Sequence, residues 1–114
     1  LCCTFDGDIL DMLRSVYVMK AYEELDLLNN ADRQGKRIVS ELKQIDGLYD
    51  VRGVGLLVAF DLISKESRDM FVDKLRNSGM ICNPTGEKSV RLRPNLAVAD
   101  QEVDLAIKTI RSVV

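Results

Sequence analysis

The longest amphipathic pattern in the chain covers residues 7–28. Apolar residues recur there at three- and four-residue intervals, which is the periodicity of an α-helix. They are Ile9, Leu10, Met12, Leu13, Val16, Tyr17, Met19, Tyr22, Leu25 and Leu28. Because this apolar arc is wide, we expect the helix to lie between this domain and another one.

A second helix is predicted after a break at Asn29-Asn30, which also supplies a candidate N-cap. Asp46-Gly47 ends this helix. Its apolar stripe comprises Ala31, Gly35, Ile38, Leu42 and Ile45. The two helices are therefore expected to form a hairpin.

Two strands are predicted next, at residues 49–52 and 56–62. The connecting Gly53-Val54-Gly55 permits a bulge or a close approach of the backbone to a neighbour. Alternation along the second strand places Val58 and Phe60 on one sheet face.

The second half of the chain is predicted to be helix, strand, strand, helix. Ser64 can cap the first of these helices, and Asn77-Ser78-Gly79 supplies its left-handed stop. Residues 80–83 form a short strand, residues 84–86 a turn, and residues 89–93 a strand with a two-residue period. The last helix, residues 100–114, covers the sheet. This order favours an α+β (α/β) fold with helices packed on a small, mainly antiparallel sheet.

Composition excludes several classes of function. A length of 114 residues with 46% hydrophobic and 30% charged residues indicates a globular domain with its own core. A net charge of −2 without long runs of like charge argues against nucleic acid and against an anionic membrane. No signal peptide or membrane-spanning apolar stretch is recognisable, so we expect a cytoplasmic location.

The absence of histidine removes the commonest general base and the commonest metal ligand, so no metal site is expected. The three cysteines have neither a disulfide framework nor metal-ligand spacing. Cys82 lies in a short apolar segment, and we expect it to be buried rather than nucleophilic.

The strongest candidate for chemistry is the pair Arg91 and Arg93, which strand alternation places on one face. A guanidinium is a rigid fork that matches a carboxylate with two parallel hydrogen bonds. The alternative is an exposed pair of arginines neutralised by acidic neighbours such as Asp61 or Glu87.

Thr4 is the second candidate, because it precedes the head of the first helix. Its hydroxyl and backbone amide could bind a phosphate at that helix terminus. The alternative is ordinary capping of the helix by Thr4, Asp6 or Asp8.

Several segments, taken in order, resemble the carboxy-terminal part of the class III aminotransferases, which are pyridoxal-phosphate enzymes of fold type I. The segments are Thr4-Phe5-Asp6-Gly7-Asp8, Leu27-Leu28-Asn29-Asn30-Ala31, Val51-Arg52-Gly53-Val54-Gly55-Leu56 and Gly86-Glu87-Lys88-Ser89-Val90-Arg91-Leu92-Arg93-Pro94. Within the family, residues 11–14 and 57–62 look most like enzymes that use the 6-amino group of L-lysine. Residues 26–31 and 86–91 also look like the 4-aminobutyrate enzymes.

The resemblance implies roles for three residues. Arg91 would bind the α-carboxylate of glutamate or 2-oxoglutarate, with Arg93 in support. Thr4 would reach across a homodimer interface to the phosphate of pyridoxal 5'-phosphate in the other subunit. Residues 1–28 would be the end of the large domain and a long connecting helix, and residues 29–114 the carboxy-terminal small domain.

The resemblance also implies what the chain lacks. In such enzymes the Schiff-base lysine, the aspartate on the pyridinium nitrogen and the aromatic residue on the ring lie in a large domain before Thr4. No catalytic residue is therefore expected here, and the chain alone should be inactive. The complete enzyme would transfer a terminal amino group, that of L-lysine, to 2-oxoglutarate. The alternatives are a 4-aminobutyrate or other class III ω-aminotransferase and, in another class of function, a non-catalytic module that binds an amino acid or a partner.

Overall fold

The computed structural model describes residues 6–114 and contains four helices and four strands in that part of the chain. In order they are α1 (Ile9–Glu24), α2 (Leu27–Leu42), β1 (Tyr49–Val54), β2 (Leu57–Asp61), α3 (Lys65–Asn77), β3 (Asn83–Thr85), β4 (Ser89–Leu92) and α4 (Asp100–Val113). The strands form one sheet in the order β1-β2-β4-β3, and each neighbouring pair is antiparallel. The predicted α+β architecture is confirmed.

One face of the sheet is buried beneath α2, α3 and α4. Val58 and Phe60 of β2 and Val90 of β4 are fully buried, so the predicted shared face of Val58 and Phe60 is confirmed. The ring of Phe60 meets that of Phe71 edge-on, with centroids 5.9 Å apart. The helices add Ala31, Ile38, Leu42, Phe71, Val72, Leu75, Val103, Ile107 and Ile110 to the same core. Each fully buried Val, Leu, Ile or Phe side chain contributes about 1.5–3 kcal/mol by leaving water.

The helix hairpin forms, but its break was predicted in the wrong place. α1 ends at Glu24 rather than Leu28, and α2 begins at Leu27. The chain turns at Asp26, whose φ of 48° is left-handed, a conformation that aspartate tolerates better than most residues. Asn30 lies inside α2, where its amide donates to the carbonyls of Leu96 (2.8 Å) and Val98 (3.1 Å). Asn30 therefore holds the loop before α4 through these two hydrogen bonds and does not end a helix.

α1 packs against α2 and has no buried residue among those described. Its apolar side chains are exposed, including Ile9, Leu10, Tyr17 and Met19. The second contact surface predicted for this helix stays a prediction.

The third strand also differs from its predicted position. Residues 80–82 are not a strand, β3 is Asn83–Thr85, and the turn lies at residues 86–88. Pro84 cannot donate a ladder hydrogen bond, yet it is tolerated because β3 is an edge strand. Arg93 likewise lies beyond β4, which ends at Leu92.

The close backbone approach predicted at residues 53–55 is present. A Cβ added to Gly35 of α2 would lie 2.0 Å from the carbonyl oxygen of Gly55, which has a φ of 51°. The irregular register lies earlier, between Tyr49 and Arg52, where Asp50 has a φ of 44°. Glycine is therefore required at position 35 for α2 to reach the β1–β2 turn.

Gly35→Ala should lower the free energy of unfolding by about 3 kcal/mol, because backbone must move to admit a methyl group. Urea titration followed by circular dichroism measures this loss. Ser40→Ala, at an exposed position of the same helix, is the matched control and should change stability by less than about 0.5 kcal/mol. Equal stability of the two variants would contradict the tight contact.

Candidate functional site

Strand β4 places Arg91 on the sheet face opposite the core. Val90 pairs with Phe60 and Leu92 pairs with Val58, so both point into the core. Arg91 alternates with them and pairs with Ala59 on one side and Asn83 on the other. We call the face that bears Arg52, Ala59, Asp61, Ser89 and Arg91 the open face.

The guanidinium of Arg91 has no partner within the described chain. Its Nε is buried without a hydrogen-bond acceptor, and no carboxylate of residues 6–114 forms an ion pair with it. Among the described residues no carboxylate compensates its positive charge. The alternative in which Asp61 or Glu87 neutralises Arg91 is wrong for this part of the chain.

Arg93 is exposed and, because β4 ends at Leu92, does not share the strand ladder of Arg91. Both arginines nevertheless line one cavity of about 310 Å³, together with Asn83 and Asn95. Glu102 also lines it, but its Oε2 accepts the backbone N–H of Ala99 at 2.8 Å and thereby caps α4. Much of the remaining lining is apolar and belongs to the core, including Ile38, Val103 and Ile107.

Asp61 is held by other donors on the open face. Its Oδ1 accepts hydrogen bonds from Ser89 Oγ at 2.7 Å and from Arg52 Nη1 at 3.1 Å. Arg52 Nη1 also contacts the carboxylate and the carbonyl of Asp50, each at 2.8 Å. The bond from Ser89 and then the nearby Arg52 hold the pKa of the Asp61 carboxyl below its usual value, against the opposing effect of burial.

Arg52 lies on the same face as Arg91, on the other side of Ala59, and the sequence did not predict this position. In a regular ladder from the Tyr49–Asp61 pair, Val51 would oppose Ala59, but the irregularity at Asp50 places Arg52 there instead. Val51 consequently packs against the core. The alternating pattern of residues 49–52 contains no signal for this one-residue shift.

The described head of α1 is capped by a carboxylate. Asp8 Oδ1 accepts the backbone N–H groups of Leu10 (2.9 Å) and Asp11 (3.0 Å), so the capping alternative applies and Asp8 is the cap. These amides are not free for a phosphate, and this part of the helix terminus does not fit the phosphate of a cofactor. The prediction for Thr4 lies outside the described residues.

The described residues give little support for a nucleophilic cysteine or a metal site. Burial raises the pKa of the Cys82 thiol, as expected for a buried side chain and not for a nucleophile. Among residues 6–114, no three potential metal ligands come together. None of the helices in that range is long and apolar enough to cross a membrane.

The fold agrees with the comparison to known families. The family model for class III aminotransferases matches residues 1–114. The chain therefore belongs to the class III aminotransferase family, whose members generally depend on pyridoxal phosphate.

Particular relatives are similar over nearly the whole chain. The L-lysine-epsilon aminotransferase of Mycobacterium tuberculosis is 32% identical over 114 residues, which cover 96% of this chain and 25% of the relative. The ornithine aminotransferase of Bacillus anthracis is 29% identical and is covered to 28%. The chain thus spans about a quarter of the length of these curated relatives.

Solved structures support the same fold. The lysine aminotransferase of M. tuberculosis superposes with a TM-score of 0.90 at 32% identity, over 99% of this chain and 27% of that one. A phospholyase from Arthrobacter superposes with a TM-score of 0.80 at 20% identity, over 86% of this chain and 26% of that one. This second likeness concerns the fold alone, so the reaction has to be argued from residues.

The Asp61 network predicts a specific dependence of stability on pH. Because the pKa of Asp61 is lowered by folding, its ionised form stabilises the fold above the unfolded pKa of about 3.9, and this contribution is lost as pH falls through the folded pKa. Asp61→Asn should lower the free energy of unfolding by about 1.5 kcal/mol at pH 7, and the deficit should shrink in acid. Urea titrations of the parent and of Asp61→Asn from pH 7 to pH 2 measure this deficit in the free energy of unfolding.

Glu87→Gln, which alters an exposed carboxylate on the β3–β4 turn, is the control and should match the parent within about 0.5 kcal/mol. A deficit for Asp61→Asn that stays constant across the pH range would show that the carboxylate charge is not involved.

Proposed function

We propose that this chain is the carboxy-terminal part of a pyridoxal-phosphate-dependent aminotransferase that moves the 6-amino group of L-lysine to 2-oxoglutarate. Membership of the class III family and 32% identity to an L-lysine-epsilon aminotransferase support this assignment. Residues 1–28 are then the end of a large domain and a connecting helix, and residues 29–114 the small domain. Because the chain spans about a quarter of such enzymes, we propose that it is inactive alone.

The observation that carries the proposal is the uncompensated Arg91 on the open face. Its Nε is buried without an acceptor, while its neighbours Ala59 and Asn83 bring no charge. A ligand carboxylate supplies two acceptors in the geometry of the guanidinium fork. Both glutamate and 2-oxoglutarate carry such a group next to the reacting carbon, so binding it at Arg91 would orient that carbon. The role of Arg91 is positioning, without proton transfer.

Arg93 and Thr4 complete the proposal. Arg93 lines the same cavity as Arg91, and as an exposed second cation it supports attraction of a dicarboxylate. Thr4 of one subunit would contact the cofactor phosphate of its partner in the proposed homodimer. When bound, pyridoxal 5'-phosphate supplies the electron sink for amino transfer. The residues that anchor it for catalysis belong to the large domain, outside this chain.

Ornithine is a second candidate for the amino donor. The relative named ornithine aminotransferase is 29% identical, nearly as similar as the lysine enzyme. Lysine, ornithine and 4-aminobutyrate all offer a terminal amine, so the alternatives differ in the donor and leave the role of Arg91 toward the acceptor unchanged. A non-catalytic module is disfavoured by family membership along the entire chain.

Arg91→Gln in the full-length enzyme should raise KM for 2-oxoglutarate and for glutamate by roughly 10- to 100-fold. Loss of hydrogen bonds to a charged partner costs about 1.5–3 kcal/mol each. Steady-state kinetics with each substrate measures the change, and cofactor titration should show unaltered affinity for pyridoxal phosphate.

Arg111→Gln is the matched control, because Arg111 bonds Glu41 at 2.7 Å on the outer surface of α4 and α2 and does not line the cavity. Its kinetics should equal those of the parent. Unchanged glutamate kinetics in Arg91→Gln would refute the assignment of Arg91.

A further inference from the structure

Asn83 on β3 lies directly opposite Arg91 on β4. The two residues pair in the antiparallel ladder, so their side chains lie on the same face of the sheet. Directly opposed residues have Cβ atoms about 4.5–5.5 Å apart, which places both side chains within reach of one small ligand group. On its other side Arg91 is opposed by Ala59, which has no polar group. Of the two residues opposite Arg91, only Asn83 therefore has a hydrogen-bonding side chain.

The backbone holds Asn83 at this position. Pro84 restricts the residue before it to an extended conformation, which is the conformation that a strand requires. Pro84 pairs with Val90, and the burial of Val90 fixes which face of β4 points into the core. The proline and the strand pairing therefore hold Asn83 beside Arg91.

The carboxamide of Asn83 is available as a hydrogen-bond donor. Its side chain is exposed, lines the same cavity of about 310 Å³ as Arg91, and forms no side-chain hydrogen bond within residues 6–114. An ionised carboxylate accepts about four hydrogen bonds, and a guanidinium fork supplies two of them. An amide N–H group beside the fork can supply a third and leaves the net charge of the site unchanged.

We propose that Asn83 binds the same ligand carboxylate as Arg91, with its Nδ2 group donating a hydrogen bond to one carboxylate oxygen. This role of Asn83 rests on the proposed function of Arg91 and adds a second residue to the same site. Arg91 supplies the positive charge and two parallel hydrogen bonds, whereas Asn83 supplies a neutral donor from the neighbouring strand. The acceptor site is then built by β3 and β4 together.

Two simpler roles of Asn83 predict different results. If Asn83 is only a solvated residue of an edge strand, its replacement leaves the affinity for ligands unchanged. If Asn83 supports the edge of the sheet, its replacement impairs both half-reactions of the enzyme to the same extent. A carboxylate-binding role impairs the half-reaction of 2-oxoglutarate and glutamate, whose carboxylate lies beside the reacting carbon. A terminal-amine donor has its carboxylate at the far end of the molecule.

The test uses the full-length enzyme that carries this segment, with Asn83→Leu, which keeps the branched shape of the side chain and removes its donors. KM for 2-oxoglutarate should rise about three- to tenfold, as expected for the loss of one exposed hydrogen bond to a charged group, with a smaller change in kcat. The Kd of glutarate, an unreactive dicarboxylate, should rise by the same factor in calorimetry. The kcat/KM for the amino donor, L-lysine or L-ornithine, should stay within about twofold of the parent.

Three further variants keep the outcome decisive. Asn83→Gln retains the amide and should raise KM for 2-oxoglutarate by less than about threefold. Asn83→Ala replaces Asn83→Leu if the exposed leucine causes aggregation, and the same increase in KM is expected. Asn77→Leu is the matched control, since Asn77 is an exposed asparagine at the end of α3 that does not line the cavity. Its KM and its Kd for glutarate should equal those of the parent.

The outcomes separate the role of Asn83 from the proposed function. A selective loss of affinity for 2-oxoglutarate and glutarate in Asn83→Leu, with affinity retained in Asn83→Gln, supports the binding role. An unchanged Kd of glutarate, an equal loss in both half-reactions, or equal losses in Asn83→Leu and Asn83→Gln overturns it. In each of these cases the function of Arg91 stands if Arg91→Gln raises KM. If Arg91→Gln has no effect, the proposed function fails and the role of Asn83 fails with it.

Discussion

Strand β4 must bury Val90 and Leu92, and the position of Arg91 follows from that requirement. A slip of one residue in the β2–β4 register would expose both apolar side chains and bury the guanidinium. Burial of each apolar side chain contributes about 1.5–3 kcal/mol, which no contact of Arg91 inside the described chain could offset. The core therefore holds Arg91 in place, although its guanidinium forms no ion pair within the described residues.

The turn that precedes β4 is held by a second arginine. Arg68 of α3 is buried, its Nε donates to Asp69 at 2.6 Å, and its Nη1 lies 3.4–3.5 Å from the carbonyl oxygens of Thr85, Gly86 and Ser89. The Asp69 carboxylate and these three carbonyls satisfy a charge that would be costly to bury alone. Arg52 and Arg68 thus each have carboxylate and backbone carbonyl partners, whereas Arg91 has none within the described chain. That difference separates the structural arginines from the candidate for binding.

Much of this arrangement could be predicted from local patterns. The Ser64 cap of α3 and the buried alternation of β2 and β4 were readable because each depends on neighbouring residues alone. The left-handed residues Asp26 and Asp50 were not, since non-glycine residues with positive φ have no reliable sequence signal. The left-handed Asp26 places the break between α1 and α2 before its predicted position. The left-handed Asp50 places Arg52 on the open face. The candidate site at Arg91 was therefore predicted, whereas the position of Arg52 on the same face, two strands away, was not.

If the uncompensated guanidinium of Arg91 is a carboxylate-binding group, its partner has to come from outside residues 6–114. A crystal structure of the full-length enzyme with bound glutarate measures this directly. We expect two parallel hydrogen bonds of about 2.7–2.9 Å between one ligand carboxylate and Arg91, with Asp61 still bonded to Ser89 and Arg52. Glutarate bound away from Arg91, with Arg91 paired to a carboxylate of the protein, would contradict the proposed role.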